Sequence, residues 1–109
     1  MKTIKISTAL RRLSRLNDEI RYYNFFNEEN FTSGVIVFRA RRGADPKQIN
    51  HDDKDVICQV IKGRGRLRLG GKHIALQPGM VCHIPKATPH DFAARGRELV
   101  LFYALIQTR

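Results

Sequence analysis

Hydrophobic and polar residues alternate with a period of two over much of the second half of the chain. In Arg64-Gly65-Arg66-Leu67-Arg68-Leu69 the arginines hold one set of alternate positions and the leucines fall in the other. A strand with that pattern puts its leucines inside and its arginines in water, because a row of guanidinium groups cannot face a core. The runs GVIVFRARRG, DVICQVIKG, RGRLRLGGKHIALQPG, MVCHIP and ELVLFYALIQ are rich in β-branched and aromatic residues and most are bounded by glycine or proline. Short strands punctuated at intervals of roughly ten residues predict an all-β barrel or sandwich, with Gly70-Gly71 as a hairpin turn. Ahead of them, STALRRLSRLNDEIR over residues 7 to 21 spaces Leu10, Leu13, Leu16 and Ile20 three or four apart. That stripe predicts a short amphipathic helix with Arg11, Arg12 and Arg15 in water. Asn17 and Asn24 are candidates to end the helix, and YYNFFNEENF is expected to be an aromatic-rich connection. The organisation expected is a helix and connection over residues 1–33 and a barrel over 34–109, together one domain.

A chain of 109 residues is the size of one domain. No apolar run approaches the roughly 20 residues that span a bilayer. The N-terminus threads charges through its first residues and has no apolar core of a signal peptide, and Cys58 and Cys82 make no disulfide framework. These features lead to the expectation of a cytoplasmic protein with no membrane partner. Twenty Lys and Arg against ten Asp and Glu give a net charge of +10. The excess is dispersed over Arg11, Arg12 and Arg15, then Arg39, Arg41 and Arg42, then Arg64, Arg66 and Arg68. It fits a solvated basic surface or an anionic small-molecule partner. Nucleic acid ranks last among partners, since the aromatic-plus-basic spacing of an RNA-reading sheet is missing.

Two spacings carry candidate chemistry. Gly43 is followed by five residues and then Ile49-x-His51; four residues separate His51 from Val56, and six separate Val56 from Gly63. Later, Gly79, Pro85, Ala87, His90 and Ala94 occur in the order glycine, five residues, proline-x-alanine, two residues, histidine, three residues, alanine. This pair of motifs resembles that of the RmlC-like cupins: Gly-x5-His-x-His-x3–4-Glu-x6-Gly, then Gly-x5-Pro-x-Gly-x2-His-x3-Asn. The resemblance covers about residues 34 to 106. It implies a cupin β-barrel (a double-stranded β-helix, or jelly roll) with the short N-terminal helix outside it, a pocket in the barrel, and pairing as a homodimer. The departures fall on the chemistry. Ile49 and Val56 stand where the first histidine and the glutamate belong, and Ala87 and Ala94 replace the second glycine and the asparagine.

The resemblance further implies a divalent metal (iron, manganese, zinc or nickel) held by histidines and a carboxylate. In this chain such a set reduces to His51, His90 and Asp55, the last only in a strand register that is regular from His51. In the alternative register, with a bulge after HDDKD, Val56, Cys58 and Val60 point inward and the aspartates line a solvated rim. Pocket candidates are His51, Cys58, His83, His90 and Phe92. Cys58 and Cys82 are expected on neighbouring strands, as buried thiols. The function expected is a small cupin-domain protein that binds a small molecule in its barrel pocket, with a degenerate metal site. The alternative is a metal-dependent cupin enzyme, of dioxygenase or sugar-isomerase type, using His51, Asp55 and His90. The apolar stripe is expected to lie on its own barrel or on a partner's, and with the YYNFF run it leads to the expectation of a homodimer.

Overall fold

The computed structural model describes residues 1–40 and 53–107. Gly43, Ile49, His51 and Asp52 lie outside the described residues. Helix α1 covers Ile6–Ala9, and the strands are β1 Ser14–Arg15, β2 Ile20–Asn27, β3 Phe31–Arg39, β4 Lys54–Leu69, β5 Lys72–Leu76, β6 Val81–Ile84 and β7 His90–Gln107. Among the described residues these seven strands form one antiparallel sheet in the order β1-β2-β3-β7-β4-β5, with β6 paired to β4 alone. The fold is the all-β jelly roll expected, with its short helix at the N-terminus.

The long strands β4 and β7 make this sheet into a container. They pair from Lys54↔Gln107 to Gly63↔Leu99, then resume at Arg64↔Arg95 and run to Leu69↔His90. The residues of β7 skipped at that jump, with Gly96 at φ +84°, form a bulge, and Gly63 opposite it has φ +83°. A bulge of this kind bends a strand and increases its twist. The bend lets the two arms of the sheet face each other: Phe38 of β3 meets Phe92 of the opposite arm with ring centroids 5.5 Å apart. Between the arms lies the core, with Val60, Leu67, Leu76, Ile84, Leu99 and Leu101 all buried. Leu67 is inside and Arg68 pairs with Asp91 across the ladder at 3.6 Å, so the division of leucine from arginine follows the alternation.

Two expectations require correction. The amphipathic helix is a single turn: Lys5 at its N-cap makes no side-chain hydrogen bond, and after Ala9 the chain turns toward β1. A helix of some fifteen residues is marginal without packing. Here Ser14 and Arg15 pair with β2 as β1, and the last two residues of the expected helix, Ile20 and Arg21, open β2 and pair along β3. Asn17 ends no helix; its Oδ1 accepts from the amides of Glu19 and Ile20, both at 2.8 Å, and shapes the β1–β2 turn. The run YYNFFN is therefore strand, and a boundary at residue 34 falls inside β3. The second correction concerns ELVLFYALIQ, whose Val100 and Phe102, together with Leu67, Leu69 and Ile84, are expected to contribute to the barrel interior. Leu99, Leu101 and Tyr103 point inward, whereas Val100 is buried on the outer face together with Val35, Val37 and Ala9. Phe102 is outward too, stacked on Phe25 at 6.0 Å. A strand covered on both faces carries no alternation to read.

Candidate functional site

A cavity of about 300 Å³ opens between the arms. Its walls are mostly apolar, with Ile36, Phe38, Val56, Leu101 and Leu105 among them, and no lysine or arginine lines it among the described residues. The polar groups reaching it are few: His90, Tyr103, Asn24, Tyr22, Thr32 and the Cys58 thiol. Leu16 and Asn24, both exposed, mark its solvent side.

His90 opens β7. It is only 3% exposed, and its Nδ1 lies 2.8 Å from the carbonyl oxygen of Thr88. A carbonyl can only accept, so Nδ1 carries the proton, and the lone pair of the neutral ring is on Nε2. Phe92, two residues on and on the same face, meets the imidazole edge-on at 6.0 Å. The tight chain entry that turns His90 inward includes Ala87, whose φ of +61° occupies the place of the family's second glycine.

Opposite stands a phenol–amide pair. The Tyr103 hydroxyl donates to Asn24 Oδ1 across β7, β3 and β2. Burial, with Tyr22 nearby, pushes the Tyr103 phenol up to about 12, so it stays a neutral donor through the physiological range. Gly34 lies between these partners in the register (Asn24↔Gly34↔Tyr103). A Cβ there would stand 2.2 Å from the Tyr23 carbonyl oxygen and 3.0 Å from the Tyr103 hydroxyl. Glycine is what lets the pair close. Sequence reasoning missed Tyr103, Asn24, Tyr22 and Thr32, because it took their segment for a connection or could not assign their faces.

The register of β4 settles the alternatives for Asp55. Val56, Cys58 and Val60 are buried and Ile57 and Gln59 exposed, so it is Val56, Cys58 and Val60 that face inward, and the ladder is regular from Lys54 to Val60. Asp55 is therefore on the outer face, where Oδ2 lies 3.1 Å from His83 Nε2 and Oδ1 accepts from the Lys86 amide at 2.9 Å. These two bonds hold its carboxyl below the usual carboxylate value, the amide first and the imidazole second. The site thus departs from the expected one. Cys58, His90 and Phe92 share the cavity; His83 and Asp55 pair on the other side of the sheet; His51 lies outside the described residues. A divalent metal would find one imidazole, one thiol and no carboxylate among the described cavity residues, and no cluster of three ligating side chains exists among them. Those residues do not fit the metal set that the family's motif implies.

A bent antiparallel sheet folded round a lined cavity, with positive-φ glycines at Gly63 and Gly79 and an inward histidine opening the last strand, defines a jelly-roll domain of the cupin type. A family profile described as "Cupin domain" matches residues 36–106, and the chain belongs to that family. The chain is 34% identical over 82 residues to the sucrose-binding protein of Glycine max, an alignment taking in 72% of this chain and 15% of that protein. It therefore spans a small fraction of that relative's length. Among solved structures it is similar to KdgF from a Halomonas species, with TM-score 0.76, 20% identity, and 89% of this chain and 88% of that one covered. A cupin-2 domain protein from Shewanella frigidimarina gives TM-score 0.74 and 16% identity over 95% of this chain and 94% of that one. TT1209 from Thermus thermophilus gives 0.73 and 22% over 90% and 93%. At these identities the likeness is one of fold. No helix among the described residues is long and apolar enough to cross a membrane.

Proposed function

We propose that this cupin domain binds a small, neutral, mostly apolar molecule that presents a polar group at one end. The observation that carries the reading is the lining of the cavity. Val56 stands in place of the motif's glutamate on one wall, and among the described lining residues the polar groups are few: His90, the Tyr103–Asn24 pair, Tyr22, Thr32 and the Cys58 thiol. Pockets of this size and composition take up ligands through apolar contact and orient them with a few polar groups. An anion would meet no lysine or arginine among the described residues of these walls. A sugar would press its hydroxyls against apolar side chains, leaving many of them without hydrogen bonds. A metal-dependent enzyme built on His51, Asp55 and His90 is the weaker reading, because Asp55 is engaged with His83 and Lys86 on the outer face.

The test is titration of the native protein with 1-naphthol and with medium-chain alcohols, followed by ligand-observed NMR and thermal shift. Saturable binding at one site per chain is expected. Leu105→Trp should abolish it by filling the cavity from its half-buried wall, with the β-sheet circular dichroism signal retained. His90→Ala should weaken binding of the hydroxyl-bearing probe about tenfold, the equivalent of one lost polar contact. Binding that survives both substitutions unchanged would exclude this cavity.

The outer face supports a homodimer. On β6, β4 and β7 it presents Val81, 67% exposed, Ile57, 37% exposed, and the partly covered Phe102, Ala104 and Ile106. Exposed apolar side chains grouped on one face, here interleaved with Gln59, His83 and Asp55, favour self-association. Sedimentation equilibrium should give twice the 12.6 kDa chain mass, and Val81→Glu with Ile57→Lys should return it to one chain. A single-chain mass for the unmodified protein at high concentration would refute the dimer.

A further inference from the structure

Cys58 and Cys82 face each other directly across the β4–β6 ladder, between Val56↔Ile84 and Gln59↔Val81. Alternation places both on the inner face: Val56 and Ile84 beside them are buried, whereas Gln59 and Val81 are exposed. We infer that these two thiols form a reversible dithiol–disulfide pair in the wall of the cavity. Facing Cα atoms of an antiparallel ladder stand about 4.5–5.5 Å apart, inside the roughly 4.4–6.8 Å that a disulfide spans. Their Cβ atoms, about 4.5–5.5 Å apart in such a pair, need to close to about 3.8 Å. The strand that carries Cys82 can give that ångström, because β6 is four residues long and pairs only with β4 among the described strands. Both cysteines are free in this structure.

The two thiols have different surroundings, which orders the chemistry. Cys58 is buried at 1% exposure, and that burial, together with the Cys82 thiol beside it, pushes its pKa up to about 12. Cys82 is partly exposed. An incoming small disulfide is therefore attacked first by Cys82, whose thiolate bonds to one sulfur and expels the other half as a thiolate. The Cys58 sulfur then gives up its proton and displaces the second half from Cys82. The protein loses two electrons and two protons, and the small disulfide is reduced to two thiols. A small dithiol reverses both steps. The bond forms at the cavity wall, since Cys58 lines the cavity, but its formation does not depend on what the cavity binds.

The test exposes the folded, reduced protein to oxidised glutathione, blocks remaining thiols with N-ethylmaleimide under denaturing conditions, and maps peptides by mass spectrometry without reduction. The expected product is one crosslinked pair of peptides carrying Cys58 and Cys82, lighter by two hydrogens and reopened by dithiothreitol. Cys58→Ser should instead accumulate glutathione on Cys82, and Cys82→Ser should leave Cys58 unmodified in the folded state. Wild-type protein that stops at a glutathione adduct, with Cys58 still alkylated, would overturn the pair. So would a crosslink found only between two chains. Rapid modification of Cys58 in the Cys82→Ser variant would overturn the assigned order.

Discussion

Gly63→Ala is expected to destabilise the protein by about 3 kcal/mol or more, the sum of a strained backbone and a steric overlap. Gly63 sits where β4 bends, with φ +83°, and a Cβ placed on it would lie 2.0 Å from the carbonyl oxygen of Glu98 and 3.0 Å from its carbonyl carbon. Both obstacles are main chain, so no side chain can rotate away to make room. The substitution forces β7 off β4 at the corner on which both arms depend. Gly70 supplies the control. It also has positive φ, at +57°, but a Cβ there meets nothing within 4 Å. Gly70→Ala should therefore cost only the conformational term, about 1 kcal/mol. Urea unfolding of the two variants beside the wild type measures the difference. Equal losses would mean that close approach at the corner contributes nothing to the bend.

Val56→Glu is expected to cost about 3 kcal/mol at neutral pH, because it puts a carboxylate on an apolar wall with no cationic side chain among the described lining residues. Val56 is 5% exposed, lines the cavity and holds the position where the family's motif has its glutamate. The sign of the pH dependence follows from linkage. Burial raises the folded-state pKa of the introduced Glu above its unfolded value of about 4.3, so the folded state binds more protons and stability falls as pH rises between the two values. The loss should be small near pH 4 and reach its full size above the raised pKa. Denaturation midpoints of variant and wild type, compared across that range, test it. If the variant instead gains relative stability toward neutral pH, the carboxylate has found a cation in the cavity, and the argument against a metal there fails with it.

Where local chemistry and global fold agree, the sequence was sufficient. The alternation at Arg64–Leu69, the glycine pair at 70–71 and the spacing of Gly63, Gly79 and Pro85 were enough to place strands, turns and family, because backbone conformation and side-chain parity act within a few residues. His90 was legible for the same reason: its motif sets the turn that aims it. Asp55 was not. Whether it or Val56 faces the cavity depends on a single residue of register, and that is decided by β6 and β7, which pair with β4 from far along the chain. The segment from Leu10 to Ile20 has helical spacing, yet its later part extends because β3 supplies a strand partner that a helix would forgo. Tyr103 and Asn24, 79 residues apart, meet only because Gly34 lets three strands approach. Cys58 and Cys82 could be expected on neighbouring strands, but that they face each other is a matter of register. Local pattern determined which residues are strand and which turn; long-range pairing decided which side chains share the cavity, since one residue of slip moves every side chain to the other face.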